Sequence, residues 1–155
     1  MARDRTGTLV VDASVAAKWV MEEPHSDLAQ QILDSGVELA APAHWLGEAA
    51  NAVWAAARRG DLNAEEAEER ARTLAEAPIH AVPLARLVEA AVAIGLRIGV
   101  TIYDALYLAL AIERTAVLIT DDQRLIHAAR RDREVRNLVL WIADSAAGAL
   151  FRGQT

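Results

Sequence analysis

The chain has 155 residues, 54% of them hydrophobic, no cysteine and a formal net charge of -6. That length is one ordinary domain with enough apolar material for a packed core, which excludes a disordered chain. The missing cysteine removes disulfides, thiolate zinc sites and a thiol nucleophile, and the acidic balance argues against coating nucleic acid by bulk electrostatics. Thr8-Leu9-Val10-Val11-Asp12 is a short β-branched run, predicted as a buried strand ending at Asp12. Ser14 to Met21 follows as a helix, Pro24 opens a second through Leu33, and Gly36 stops it. Val37 to Pro42 reads as a strand, and His44 to Arg59 as a helix closed by Gly60. Asn63 is an N-cap candidate for the next helix. Pro78 to Pro83 is a short strand that its prolines confine to an edge. Leu84 to Ile98 is helical, and Thr101 to Arg114 is the most apolar helix. Ala116 to Thr120 is a second clear strand, followed by a helix through Ala129, a last strand over Leu138 to Ile142 and a short terminal helix.

Short apolar strands alternating with amphipathic helices predict an α/β fold, a parallel sheet of four to five strands covered on both faces. No linker or repeat divides the chain, so it reads as one domain over residues 1–155 with a polar tail over 1–7. No run reaches the length of a membrane span or of a signal peptide's apolar region, which predicts a soluble, cytoplasmic protein.

Four acidic words stand beside apolar segments: Val11-Asp12-Ala13-Ser14, Gly47-Glu48-Ala49-Ala50, Tyr103-Asp104-Ala105-Leu106 and Thr120-Asp121-Asp122. A carboxylate in such a setting is costly unless something pairs with it. Each has an ordinary alternative. Asp12 could cap the helix near Ser14, Thr101 to Asp104 fits a capping box, and Thr120 to Asp122 could cap the helix toward Leu125. Glu48 has apolar neighbours on its helix. One metal site explains all four more economically than separate accidents. Hard cations such as Mg²⁺ and Mn²⁺ prefer oxygen ligands, and a pair of them can activate water for phosphodiester cleavage. In parallel sheets, ligands bind beyond the carboxyl ends of strands, where Asp12 and the Asp121-Asp122 pair fall.

Other constellations point to less. His25, His44, His80 and His127 are isolated, and Gly95 to Gly99 lacks the lysine and serine of a phosphate loop. Ser14 has no nucleophile-elbow context. Trp19, Trp45, Trp54 and Trp141 lie in periodic segments and read as core. The Arg130 to Arg136 run reads as a solvated turn. The helices beginning near His44 and Leu84 carry surplus apolar surface, which predicts a homodimer contact.

The stretch Val10 to Trp19, Pro42 followed by Glu48 and Asn51, Thr101 to Ala111, and Leu118 to Leu125 together resemble the ordered motifs of PIN-domain proteins, especially VapC-type toxins. That resemblance implies a three-layer α/β/α domain and a Mg²⁺- or Mn²⁺-dependent ribonuclease, a dimer held inactive by a cognate antitoxin. It implies that Asp12, Glu48 and Asp104 form the metal-binding core with Asp122 as fourth member. Asp121 is an open alternative to Asp122, and Ser14 and Thr120 would be supporting hydroxyls. The rival expectation is a non-catalytic PIN-like module that binds RNA or a protein.

Overall fold

The computed structural model describes residues 7–144 and 148. The expected polar tail before Gly7 and the expected terminal helix fall outside them. Five strands form one parallel sheet: β1 (Leu9–Val11), β2 (Leu39–Pro42), β3 (Ile79–Val82), β4 (Val117–Thr120) and β5 (Val139–Trp141), in the order β3-β2-β1-β4-β5. The helices are α1 (Ala13–Ala16), α2 (Ser26–Asp34), α3 (Trp45–Arg59), α4 (Ala64–Ala75), α5 (Val88–Ile98), α6 (Ile102–Arg114) and α7 (Gln123–Arg130). β3 is an edge strand, as its flanking prolines require.

The layering can be read from side-chain alternation. On β1, Val10 points into one core with Leu118 of β4 and residues of α3, α5, α6 and α7. Its neighbours Leu9 and Val11 point into the other, with Ile119 of β4 and Ala29 and Ile32 of α2. Both faces of the sheet's centre are therefore covered, and β1 and β4 are buried on both sides rather than alternating, whereas edge strand β3 leaves His80 and Ala81 exposed. Val10, Val11, Leu118 and Ile119 are all fully buried. Each such side chain contributes about 1.5–3 kcal/mol relative to exposure.

Two expected helices are shorter than their sequence pattern. The one after β1 ends at Ala16 and tightens into a 3₁₀ turn over Ala17–Trp19, with the Trp19 indole N–H donating to the Ala29 carbonyl at 2.9 Å. A second 3₁₀ turn at Leu84–Arg86 precedes α5. α4 starts as expected, with a full capping box between Asn63 and Glu66. Gly60 closes α3 at φ 86°, a left-handed value that glycine reaches without a Cβ penalty. Trp45 is buried and Trp19 and Trp141 are half-buried, but Trp54 is 61% exposed, with Arg58 stacked 5.9 Å over its ring. The periodic pattern misled there, because Val53 and Ala56 already supply the buried face of α3.

From β1 the chain moves outward through β2 to β3, then crosses to the opposite side of β1 for β4 and β5. The order therefore reverses between β1 and β4, where ligand crevices form in open parallel sheets. The register pairs Val11 with Ile119, so Asp12 and Thr120 emerge side by side at the carboxyl edge. α3 begins just beyond the end of β2, which brings Glu48 in its first turn to the same edge. α6 packs over β1, β2 and β4 and turns at Thr115 into β4. It runs against the strands, and its first turn delivers Asp104 to that edge as well.

Candidate active site

Asp12 is the buried centre of the edge, only 5% exposed. Its Oδ1 accepts from the Ser14 hydroxyl at 2.5 Å and from the Val15 backbone N–H at 3.2 Å, which caps α1. Its Oδ2 accepts from the Thr120 hydroxyl. Burial pushes its pKa from the ordinary 3.8 to about 6, helped by the Asp122 charge and opposed by these hydrogen bonds.

Glu48 is held from two sides. The Tyr107 hydroxyl donates to Oε1 at 2.8 Å, and His44 Nε2 lies 3.0 Å from the same oxygen. The His44 ring packs against Tyr107 and Tyr103 at centroid separations of 4.9 and 5.7 Å. Burial would raise the Glu48 carboxyl, but His44 and Tyr107 outweigh it and hold it below its ordinary range. Burial and the charges of Glu48 and Asp12 raise the Tyr107 phenol, which therefore stays a donor.

Asp104 lies in the first turn of α6, whose N-cap Thr101 accepts the Asp104 backbone N–H at 3.2 Å. Its carboxyl is raised by burial, then by the charges of Asp122 and Glu48, with Arg124 opposing. Asp122 caps α7, its Oδ1 accepting from the Arg124 and Leu125 N–H groups at 2.9 and 3.4 Å. Its own N–H donates to Thr120 Oγ1 at 3.0 Å. The capping roles expected of Asp12 and Asp122 are thus present, and those acids still act on one another. Asp122 raises both Asp12 and Asp104, and Glu48 raises Asp104.

Asp121 faces another set of partners. Its Oδ2 lies 2.9 Å from Lys18 Nζ, and its Oδ1 accepts the Trp141 indole N–H at 2.8 Å with His25 Nδ1 at 3.3 Å. Burial would raise this carboxyl, but Lys18 and Trp141 bring it below its ordinary value. Sequence reasoning passed over His44, Tyr107 and Lys18. The first two carried a signal: His44 stands four residues before Glu48, and Tyr107 three after Asp104, one helical turn in each case.

A cluster of carboxylate oxygens, without sulfur and with mutual repulsion that raises two of its members, has the donor chemistry of a hard divalent cation. Among the described residues, no three side chains stand as a ready metal shell in their present rotamers. The donor set fits such an ion. Closing a shell around it requires the hydroxyls on Asp12 to yield or side chains to turn.

A doubly covered parallel sheet with acids gathered at its strand-order switch defines a class of α/β/α domain. The PIN domain family model matches residues 9–131, and the chain belongs to that family. It is 36% identical over 121 residues to Ribonuclease VapC3 of Pyrobaculum aerophilum, an alignment covering 76% of this chain and 91% of that protein. The crystal structure of PAE2754 from Pyrobaculum aerophilum has a similar fold, with a TM-score of 0.66 at 21% identity, covering 95% of this chain and 89% of that one.

Proposed function

We propose that this protein is a metal-dependent endoribonuclease and the toxin of a toxin–antitoxin pair. The observation that carries the reading is the shared field of four acids from β1, α3, α6 and the β4–α7 turn, at the edge where such sheets bind ligands. Membership of the PIN family and the likeness to a protein named as a ribonuclease support it. Asp12, Glu48, Asp104 and Asp122 would hold Mg²⁺ or Mn²⁺, which when bound makes water a better nucleophile and offsets charge at the scissile phosphate. Ser14 and Thr120 aim Asp12, and His44 and Tyr107 aim Glu48. Each acid is thus fixed by groups that keep its lone pairs oriented, as supporting hydrogen bonds do around metal ligands. Arg124, beside Asp104, is a cation suited to a phosphate of the RNA.

The test is RNA cleavage with Mn²⁺ against EDTA, for wild type and Asp104→Asn. Cleavage by wild type with Mn²⁺, lost in EDTA and in the variant, supports the enzyme. Equal cleavage with and without chelator overturns metal dependence, and RNA binding without product supports a non-catalytic module instead.

An antitoxin would complement the acids with a basic segment, an arginine fork being the best match to paired carboxylates. The second copy of a homodimer would cover α5, where Val88, Val92 and Leu96 form a stripe at four-residue spacing and Leu96 is 83% exposed. Sedimentation showing only monomer at high concentration would overturn that assembly. Among the described residues no single helix is long and apolar enough to cross a membrane. That is compatible with action on RNA in the cytoplasm.

A further inference from the structure

We propose that Lys18 is a positioning residue of the acidic site: it clamps Asp121 so that the following residue, Asp122, is the acid presented to Asp12 and Asp104. The proposal rests on the metal-site reading above and assigns the two adjacent aspartates different roles, one an anchor and one a working ligand.

Lys18 is the sole lysine of the sequence, and it is 6% exposed in the 3₁₀ turn after α1. An ammonium buried so far must be paired, and Lys18 is: Asp121 lies at 2.9 Å and Glu23 at 3.2 Å. The other oxygen of Asp121 is taken by the Trp141 indole, with His25 alongside. Both oxygens are therefore occupied by groups from the 3₁₀ turn, the segment before α2 and the end of β5.

The backbone of the same residue is tied to a different set of partners. The Asp121 N–H donates to Ser14 Oγ at 3.0 Å, and the Ser14 hydroxyl in turn donates to Asp12. One residue on, the Asp122 N–H donates to Thr120 Oγ1, whose hydroxyl also donates to Asp12. The turn is gripped by Lys18 through a side chain and by the Asp12 hydroxyl network through its backbone. Without the first grip, repulsion among Asp12, Asp104 and Asp122 would favour swinging the whole turn outward. The clamp thus bears against that repulsion and keeps Asp122 in place before a cation arrives.

The experiment uses Lys18→Met, the isosteric Asp121→Asn, the double variant and the conservative Lys18→Arg. Each is titrated with Mn²⁺ by calorimetry and followed, metal-free, by hydrogen exchange at the Asp121 and Asp122 amides. Loss of a group that orients metal ligands costs 10–100-fold in affinity. Lys18→Met and Asp121→Asn should each weaken Mn²⁺ binding about tenfold, the double variant no further, and Lys18→Arg less than Lys18→Met. A merely structural role would lower the melting temperature while leaving the Mn²⁺ affinity of the folded protein unchanged. Unchanged affinity in Asp121→Asn, or losses that multiply in the double variant, overturns the clamp. If wild type binds no Mn²⁺, the metal-site reading fails, and amide exchange still decides: faster exchange at Asp121 and Asp122 in Asp121→Asn supports the anchor, and unchanged exchange overturns it.

Discussion

Replacing Asp12 by asparagine should stabilise the metal-free protein at neutral pH. The carboxyl is buried, and its pKa rises from 3.8 to about 6 on folding, chiefly because burial penalises the charge. Two units correspond to about 3 kcal/mol of unfavourable ionisation at pH 7. Asparagine retains an acceptor for Ser14 and the Val15 N–H, but its amide cannot accept the Thr120 proton, so one hydroxyl must reorient at about 1 kcal/mol. The net gain is about 2 kcal/mol, or about 4–8 °C in melting temperature for a chain of this size. The sign of the pH dependence follows from the folded value lying above the unfolded one. The stability that wild type draws from neutral Asp12 is complete below about pH 4 and is lost as pH rises through about 6. Thermal melts in EDTA at pH 4 and pH 7.5 should therefore show the variant's advantage only at the higher pH. A variant less stable than wild type at pH 7.5, or an advantage that does not change with pH, would refute the argument.

Mn²⁺ at a hundredfold excess over its Kd should stabilise wild type by about 2.7 kcal/mol and Asp12→Asn by much less, read by thermal shift. Tyr107→Phe removes the 2.8 Å bond to Glu48 and should cost about 1 kcal/mol in urea denaturation. It should also let the Glu48 carboxyl titrate at higher pH in carbon-detected NMR, since that bond is among the contacts holding it down. Leu118→Ala, at a fully buried position of β4, should cost about 3 kcal/mol by the same denaturation assay. Asn63→Ala breaks the capping box of α4 and should cost about 1 kcal/mol.

β1 and β4 were legible because they are short, rich in β-branched residues and separated by helical periodicity, and the parallel sheet follows from that alternation. The proximity of Asp12 to the Asp121-Asp122 pair could be foreseen, since both terminate strands that a parallel sheet aligns at one edge. What local pattern could not supply is which of two adjacent acids faces Asp12 and Asp104. That choice depends on Lys18 and Trp141, which sit 103 residues before and 20 residues after Asp121 and meet it only in three dimensions. The exposure of Trp54 was equally hidden, because periodicity identifies a helix face but not how far round the helix the core extends. His44 was misjudged as isolated for a different reason. Its four-residue spacing to Glu48 was readable, but it matches no recognised metal-ligand spacing, and the Tyr107 ring that packs on it comes from another helix.

Asp12 meets Thr120 across 108 positions of chain, and β1 cannot sit in the middle of the sheet until β4 is available to flank it. During synthesis β1 must therefore wait for β4. A nascent polypeptide halted before Thr120 lacks Asp122 and half of the hydroxyl pair that orders Asp12. On the proposed reading, the metal site would therefore be completed only after β4 and the turn behind it have been synthesised.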